Sequence, residues 1–329
     1  MDLKDITHAA FNNHSADIHI IENMPIYHRN NTGRLEVLFN NVTSRNDIIS
    51  IFNDYVDKDK KDLLQEVGDI DISASIDNIR LRINIFKEQQ GISAVIRLLS
   101  NEIPSMNDLR LPMVVQNLVN KEHGLILFTA PTGNGKSTSI AAMLKAIGEK
   151  FQKRIITIEN PIEYLHQNSI SLFSQREVGR DVPDFSSGLR SALRQDPDII
   201  LIGEMRDAET ILAAIAAAES GHLVFSTLHS ADVIQATDRL LQYFPTSARD
   251  SILSQFANAF EAVIAQKLIP RRDKQGRVAA FEVLLRTDAT KNVIRSGNSF
   301  NLRTYMTAKD GMQTMDYSIS ELRRKKIID

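Results

Sequence analysis

The sequence predicts an α/β fold, in which a larger C-terminal domain holds a mainly parallel sheet and a smaller α+β domain precedes it. In the larger part, short apolar runs are separated by helical patterns, as in parallel strands covered by helices on both faces. These runs are "GLILFT", "RIITIE", "DIILIG" and "HLVFST". In the first hundred residues, apolar side chains instead alternate with polar ones. The turn-rich segment "SNEIPSMNDLRLP" separates the two patterns.

This change of pattern sets the expected domain boundaries. We predict a first domain over residues 1–99, a linker over 100–112 and a second domain over 113–329 that ends in a helical tail with a turn at Gly311. A chain of 329 residues suits two separate hydrophobic cores better than one.

The first domain combines short strands with one polar helix. "ADIHIIENMPIYHRNNTGRLEVLF" predicts two strands around an Asn-Thr-Gly turn, where Gly33 supplies the backbone freedom. A polar helix is expected around Ser44 to Val67. A period-two pattern around an Asp-Asn turn then predicts a hairpin with one buried face. Its apolar positions are Ile70, Ile72, Ala74 and Ile76, then Ile79, Leu81, Ile83 and Ile85.

Composition excludes several classes of protein. The chain has no cysteine, so disulfides and cysteine-bound zinc are impossible, and its net charge of −2 disfavours nucleic acid as the main partner. The N-terminus lacks the features of a signal peptide. The most apolar helical segment, "TILAAIAAAESGHLVF", is too short and interrupted to span a bilayer. We therefore expect a cytoplasmic protein that reaches membranes only through partners.

A phosphate-binding loop follows the first strand of the second domain. "TAPTGNGKST" lies between the strand "GLILFT" and a helical pattern, the context in which backbone N–H groups and a helix N-terminus cradle phosphates. Lys136 is expected to reach the β- and γ-phosphates and the Ser137 hydroxyl to bind Mg²⁺. The residues expected to hold the nucleotide are Thr132, Gly133, Asn134, Gly135, Lys136, Ser137 and Thr138.

The loop departs from the usual pattern at its first position, where Ala130 replaces glycine. Ala130 precedes Pro131, which favours extended backbone with negative φ, and alanine adopts this conformation without strain. Glycine is required only where φ is positive or where a Cβ would strike the ligand. The substitution is therefore compatible with phosphate binding.

Two later strands end in candidate catalytic acids. Glu204 closes "DPDIILIGE", as in a Walker B motif, and Glu163 lies in "IENPIEYLH" just after "RIITIE". Because ligands of open parallel sheets bind beyond the carboxyl ends of the strands, both acids should converge with Lys136 and the segment "FSTLHS". As an alternative, Glu159 and Glu163 are ordinary acids at a strand end.

Two histidines bracket the strand in "GHLVFSTLH". His222 and His229 could donate a hydrogen bond to the γ-phosphate, or they could anchor the strand. The sequence leaves both alternatives open.

Four arginines are further candidates. Arg190 and Arg194 are four residues apart in "GLRSALRQDPD" and therefore share one helix face before the Walker B strand. Such arginines can reach phosphates, although ion pairs with nearby acids are the ordinary alternative. Arg82 lies on the polar face of the predicted hairpin and Arg97 in "AVIRLL"; alone, both are typical of solvated faces.

Four of these segments together resemble the secretion-type ATPases of type IV pili and type II secretion. "APTGNGKST" is similar to their Walker A motif, "TIENPIEYLH" to their acidic box, "LIGEMRDAET" to their Walker B motif and "GHLVFSTLHS" to their histidine box. The segments occur in the family's order with compatible spacing, and the resemblance runs from about Ser15 to the end. It implies a RecA-like P-loop ATPase domain after a PAS-like N-terminal domain, to which "SADIHI" and the Arg29–Gly33 turn are similar.

The resemblance implies roles for individual residues. Glu163 matches the glutamate that activates the attacking water, and Glu204 matches the Walker B acid that organises Mg²⁺ and water. His222 and His229 match the histidine-box positions. The arginines that match those around the phosphates, some supplied across domain or subunit boundaries, are Arg82, Arg97, Arg190 and Arg194. The implied ligands are ATP and Mg²⁺, the metal held by Ser137 and, through water, by Glu204.

Within the family, the chain resembles the pilus retraction motors of the PilT type. "GRVAAFEVLLRTDATKNVIRSG" and "GMQTMDYSISELRRKKII" are similar to the end of those proteins. Assembly motors usually carry an extra N-terminal domain and a four-cysteine zinc segment, so a chain that starts at the PAS-like domain and lacks cysteine fits the retraction type better.

The chain also departs from the family at four positions. Asn160 replaces the usual aspartate of the acidic box, and Gln90 stands where many members have arginine. Thr290 and Lys291 interrupt the motif that is linked to retraction.

The resemblance implies a hexameric cytoplasmic motor whose ATP hydrolysis drives movement of the N-terminal domain and thereby pilus retraction. Its implied partners are an inner-membrane platform protein and, indirectly, pilin; we expect peripheral attachment through the pilus machinery, no direct membrane insertion and no nucleic acid. The alternatives are a motor for pilus assembly, protein secretion or conjugative transfer, a scaffold that binds nucleotide without hydrolysis, and a DNA-handling ATPase.

Overall fold

The computed structural model describes residues 1–30, 33–77, 79–89, 91–99, 102–274 and 276–329. These residues form two compact units, Met1–Glu102 and Ile103–Asp329. Parts of three predicted features lie outside the described residues: positions 31 and 32 of the first turn, Asn78 of the second turn, and Ser100 and Asn101 of the linker. The departure at Gln90 also lies outside them.

The first unit is an antiparallel sheet with helices. Its strand order is β3-β2-β1-β6-β5-β4. The strands are β1 (Asp17–Ile21), β2 (Met24–Arg29), β3 (Leu35–Thr43), β4 (Asp69–Ile76), β5 (Ile79–Glu88) and β6 (Gly91–Leu99). The helices are α1 (Leu3–Asn12), α2 (Arg45–Phe52) and α3 (Lys58–Glu66).

The predicted hairpin is present as β4 and β5, and its alternation fixes the core of this unit. Each of the eight apolar positions except Ile79, which is partly exposed, is buried. They pack with Leu3 and Ile6 of α1 and with Ile48 and Phe52 of α2. Because side chains alternate across a strand, the polar residues of β5 face the other way, and Arg82 lies among them.

Two details of the first unit differ from the prediction. The first predicted strand is two strands, β1 and β2, because Asn23 adopts a positive φ of 61° and turns the chain between them. The helix predicted around Ser44 to Val67 is two helices, because Asp57 caps a new helix by accepting a hydrogen bond from Lys60 N at 2.9 Å.

The segment predicted to be a linker packs on the second unit from Ile103 onward. The Ile103 carbonyl accepts a hydrogen bond from Lys145 Nζ at 3.2 Å, and Leu111 is buried. Met106 and Leu109 lie against the same core. The segment forms a turn at residues 106–110, and its spaced apolar side chains anchor it to the unit that follows.

The second unit is the predicted α/β structure with a mainly parallel sheet, in the order β13-β12-β7-β11-β10-β8-β9. Among the described strands of this sheet, only the β12–β13 pair is antiparallel. The strands are β7 (Gly124–Thr129), β8 (Arg154–Glu159), β9 (Leu172–Glu177), β10 (Ile199–Ile202), β11 (Leu223–Leu228), β12 (Phe260–Pro270) and β13 (Arg277–Leu285).

Helices cover both faces of this sheet and form a core on each side. They are α4 (Met113–Gln116), α5 (Lys136–Lys150), α6 (Phe185–Ala192), α7 (Ala208–Glu219), α8 (Val233–Leu241), α9 (Arg249–Ala259), α10 (Asp288–Arg295), α11 (Leu302–Tyr305) and α12 (Met315–Arg324). The last three form the predicted helical tail, and Gly311 turns the chain with a φ of 80°. Within the described ranges, no helix has the length and apolar character needed to cross a bilayer.

Candidate nucleotide-binding site

The carboxyl ends of the parallel strands meet at one edge of the sheet, and a cavity of about 480 Å³ lies there. β7, β8, β10 and β11 run in the same direction, so the loops that follow them border the same space. The seven predicted loop residues from Thr132 to Thr138 line the cavity. The other lining residues are Glu159, Asn160, Pro161, Glu163, Phe185, Gly203, Glu204, Arg206, Thr227, His229, Leu268 and Arg277.

Glycine is needed at two positions of the loop, in both cases for the backbone conformation and in one also for space. Gly133 and Gly135 have φ values of 78° and 79°, which side chains disfavour. A Cβ at Gly133 would meet no atom within 4 Å, whereas a Cβ at Gly135 would lie 2.9 Å from Gln266 Nε2. Gly135 also precedes the first residue of α5, so the loop leads directly to a helix N-terminus. This arrangement suits an anion.

Ala130 fits its position without glycine. It is not among the residues with positive φ and is completely buried. Its N–H group donates to the Leu228 carbonyl at 3.4 Å, and its own carbonyl accepts a hydrogen bond from Lys136 Nζ at 2.7 Å. These two hydrogen bonds hold Ala130, the first residue of the loop, in place beside the end of β11.

Lys136 is a buried cation at the floor of the cavity, with 8% of its surface exposed. Burial lowers its pKa, and the nearby carboxylates of Glu204 and Glu163 oppose this shift. Its ammonium group donates to a neutral carbonyl, so a phosphate in the cavity would offer it a much better partner.

The two predicted acids occupy different environments in the same cavity. Glu204 is 8% exposed, whereas Glu163 is exposed. Glu204 Oε2 lies 2.6 Å from Arg206 Nε, a distance typical of an ion pair, and 3.3 Å from His229 Nε2, although neither donor is aligned for a hydrogen bond. Glu204 is therefore held in place, and Glu163 is accessible to solvent.

Glu159, which the sequence presented as an ordinary acid at a strand end, also lines the cavity. Burial raises its pKa to about 7, although hydrogen bonds from Thr157 and Gln175 oppose the shift. Thr157 Oγ1 donates to Glu159 Oε1 at 2.6 Å. This carboxyl group titrates near neutral pH beside Glu163.

The structure brings only one of the two histidines to the cavity. His229 follows β11 and lines the cavity, where burial and Lys136 lower its pKa while Glu204 opposes the shift. His222 precedes β11, with Nδ1 2.9 Å from the Ala217 carbonyl oxygen. A strand rises about 3.3 Å per residue, so the six residues of β11 separate the two histidines by roughly 20 Å.

Arg190 and Arg194 do not line the cavity. Arg190 lies in α6, where it donates to Ser186 Oγ at 2.9 Å and forms an ion pair with Glu209. The helix ends at Ala192, so the shared helix face expected for the two arginines is absent. Arg194 Nη1 instead donates to the Arg190 carbonyl at 2.9 Å.

Arg82 and Arg97 lie opposite each other on β5 and β6 of the first unit. Arg97 Nε donates to Asp17 Oδ1 at 2.8 Å, and Arg82 Nη2 lies 3.5 Å from Asp71 Oδ2. Arg97 is exposed and Arg82 partly so. Both side chains therefore lie at the surface of that sheet, each beside an acid. Their participation in the nucleotide site stays a prediction.

Sequence reasoning missed several residues of the cavity. Arg206 stands two positions after Glu204, and this short spacing within "LIGEMRDAET" was the available signal. Arg277 contacts the loop through Nη1, which donates to the Gly133 carbonyl at 3.3 Å. No local signal marks Arg277, because the contact joins residues that are 144 positions apart.

Two departures from the family pattern have visible structural consequences. Asn160 lines the cavity, so the substitution lies within the candidate site. Thr290 instead forms a capping box with Thr287 at the start of α10, and its hydroxyl donates to the Leu285 carbonyl at 2.8 Å. The substitution at Thr290 therefore fits the local helix start.

The cavity fits Mg²⁺ only in company with a nucleotide. The Ser137 hydroxyl and the Glu204 carboxylate both line it, and oxygen ligands suit this ion. Among the described residues, no group of three or more histidines and acids could hold a metal by itself. Mg²⁺ typically binds through one or two protein oxygens together with substrate phosphates, which agrees with this sparse set.

Comparisons with known proteins cover most of the chain. The family model described as type II/IV secretion system protein matches residues 1–325. The chain is 40% identical over 304 residues to the uncharacterized protein YggR of Escherichia coli K12, which covers 92% of this chain and 91% of that protein. It is 40% identical over 275 residues to the type IV pilus retraction ATPase PilT of Pseudomonas aeruginosa, covering 83% and 79% of the two chains.

The fold has an equally extensive match among solved structures. The crystal structure of the pilus retraction motor PilT with bound ADP matches with a TM-score of 0.93 and 35% identity. This match covers 100% of the present chain and 95% of the other. The predicted α/β fold and the predicted resemblance are confirmed.

Proposed function

We propose a function from one premise, that the chain belongs to the family of type II/IV secretion system proteins and is similar to PilT within it. It is an ATPase that powers the retraction of type IV pili. The observation that supports this best is the single cavity in which Lys136, Glu204 and Glu163 surround a glycine-containing loop at a helix N-terminus.

The residues of the cavity support a sequence of roles in ATP hydrolysis. The N–H groups of the loop and the Lys136 ammonium hold the phosphates. Glu163, which is accessible to solvent, accepts the proton of the attacking water, directly or through a chain of waters. Glu204 pairs with Arg206, lies beside His229 and orients that water. Ser137 and, through water, Glu204 would hold Mg²⁺, which would supply positive charge to neutralise the phosphates.

His229 and the arginines extend this proposal to the γ-phosphate. The pKa of His229 is lowered, so its imidazole is mostly neutral at pH 7 and can donate one hydrogen bond while accepting another. Arg82, Arg97, Arg190 and Arg194 stabilise phosphate charge after movement of a domain or from a neighbouring subunit. His222 would act only from a different subunit or as an anchor of β11.

The proposed motor couples this chemistry to movement. ATP stabilises a closed arrangement of the two units, and loss of the γ-phosphate allows the first unit to swing. Six copies form a ring that works on an inner-membrane platform protein from the cytoplasmic side and thereby extracts pilin. The name of the PilT relative, a pilus retraction ATPase, favours this direction of work over assembly.

Two measurements test the proposal. Steady-state ATP hydrolysis by the purified protein should exceed that of Glu163→Gln and Glu204→Gln variants by orders of magnitude; equal low rates in all three would favour a scaffold that binds nucleotide without hydrolysis. Deletion of the gene should leave cells with excess, immobile pili, whereas cells without pili would favour an assembly motor.

A further inference from the structure

We propose that the β12–β13 hairpin holds the phosphate-binding loop in its binding conformation, and that Gln266 is the central positioning residue of this contact. The inference rests on the proposed nucleotide-binding function and adds a role for residues that no sequence motif marks. The hairpin belongs to the same compact unit as the loop, so every contact below lies within that unit.

Three oxygen atoms of the loop accept hydrogen bonds from the hairpin. Gln266 Nε2 donates to the Asn134 carbonyl at 2.8 Å, and the Leu268 N–H group donates to Asn134 Oδ1 at 2.9 Å. Arg277 Nη1 donates to the Gly133 carbonyl at 3.3 Å. Two strands thus fix two consecutive loop residues.

Gln266 also fixes the first turn of the helix that follows the loop. Ser139 Oγ donates to Gln266 Oε1 at 2.8 Å, and both side chains are almost completely buried. A side-chain amide offers a donor and an acceptor at once, which this bridge requires. If Gln266 were replaced by an apolar residue, the Asn134 carbonyl and the Ser139 hydroxyl would each lose a partner.

These bonds suit the electrostatics of phosphate binding. Carbonyl oxygens that face an anion repel it, whereas N–H groups attract it. The hairpin donors engage the Gly133 and Asn134 carbonyls and hold them toward the hairpin. The close approach of Gln266 also adds to the need for glycine at Gly135, since a Cβ there would lie 2.9 Å from Gln266 Nε2.

The alternative is that Gln266 only fills space in the core. The two roles differ in what they predict for nucleotide affinity at constant stability. A positioning role requires that affinity fall in proportion to the hydrogen bonds removed. A filling role requires that a side chain of similar size preserve affinity and that Ser139→Ala have no effect.

The experiment measures ADP affinity by calorimetry, with Mg²⁺ present, for the full chain and its variants. Gln266→Leu should weaken ADP binding about tenfold, because it removes both bonds of the bridge. Ser139→Ala should weaken binding about threefold, since it removes one bond and leaves the Asn134 contact in place. Gln266→Glu should weaken binding at least as much as Gln266→Leu, because a carboxylate would face the Asn134 carbonyl. Gln255→Leu, a half-buried position on α9, serves as the matched control and should bind like the wild type.

Thermal unfolding and kinetics separate positioning from loss of structure. Ser139→Ala should unfold within a few degrees of the wild type, so it preserves the test if Gln266→Leu folds poorly. The KM for ATP should rise in parallel with the ADP dissociation constant, while kcat falls less than threefold. Wild-type affinity in both Gln266→Leu and Ser139→Ala would overturn this inference and leave the proposed function intact. A wild-type protein that binds no ADP would overturn both.

Discussion

The two edges of the parallel sheet in the second unit differ in how their charges are used. At the amino edge, charged groups pair with each other: Lys153 Nζ lies 3.1 Å from Asp198 Oδ1, and Glu261 contacts Lys121 at 2.7 Å. At the carboxyl edge, the buried Lys136 donates to the Ala130 carbonyl, and the exposed Glu163 faces a cavity. The amino edge thus pairs its charges within the chain, whereas the carboxyl edge, where Arg206 pairs with Glu204, leaves Lys136 and Glu163 available for a ligand.

His222 and His229 show the same difference along a single strand. The two residues are seven positions apart and looked equivalent in the sequence, yet β11 places them at opposite edges. His222 is bonded to the backbone of its own turn, and His229 lies beside Glu204. The direction of β11, rather than proximity in sequence, therefore determines which histidine reaches the cavity.

The largest expected effect concerns Glu163. Glu163→Gln should lower kcat for ATP hydrolysis by about a thousandfold, because the amide cannot accept the proton of the attacking water. Glu122→Gln, an exposed position just before β7 at the amino edge, should retain the wild-type rate in the same steady-state assay. Comparable hydrolysis rates for Glu163→Gln and Glu122→Gln would contradict the claim that catalysis takes place at the carboxyl edge.

Lys136 should dominate nucleotide affinity. Lys136→Ala should weaken ADP binding on the order of a hundredfold, because charge-assisted bonds to phosphate are lost. Lys153→Ala removes a lysine that is paired with Asp198 and should change ADP affinity less than twofold. Calorimetry with both variants checks the prediction, and an equal loss of affinity would contradict it.

Glu159 should make stability depend on pH. Its folded pKa is raised to about 7, so the stability that its protonation supports is fully present below its unfolded pKa of about 4.5 and is lost as the pH rises through 7. The free energy of unfolding of Glu159→Gln, relative to that of the wild type, should therefore increase by about 2 kcal/mol from pH 5 to pH 8. This figure is reduced because the carboxyl group is partly exposed. Urea unfolding at both pH values measures it; an unchanged difference between the proteins would exclude the raised pKa.

The smallest expected effect sharpens the comparison of the histidines. His229→Asn should lower kcat about fivefold, because it displaces a hydrogen-bond donor beside the γ-phosphate. His222→Asn should change kcat less than twofold if His222 serves only its own subunit. A larger effect of His222→Asn would indicate that this residue serves the site of another subunit. Both variants are measured in the same hydrolysis assay at saturating ATP.

The sequence predicted the parts of the fold that have strong local patterns. β7 and β11 are completely buried, so their apolar runs were clear, and the alternation of β4 and β5 located the first core. β9, "LFSQRE", was missed because it is a polar edge strand. The β12–β13 hairpin was missed because β12 continues directly from α9.

The candidate site was predictable where its residues lie in motifs. Lys136, Glu163, Glu204 and His229 line one cavity, as strand direction required. Arg277 and Gln266 could not be found in this way, because their contacts with the loop depend on tertiary structure across more than a hundred positions. The ion pair of Arg190 could not be found for a similar reason, since its partner Glu209 comes from the next helix.

Hydrogen exchange of backbone amides with and without ADP tests the central claim most directly, because it compares both edges in one experiment. The account predicts slower exchange on ADP binding in residues 131–138, with smaller protection in 159–164 and 203–206, and no change at residues 121–124 and 220–223. Protection confined to the amino edge, or unchanged exchange of residues 131–138 at saturating ADP, would contradict it.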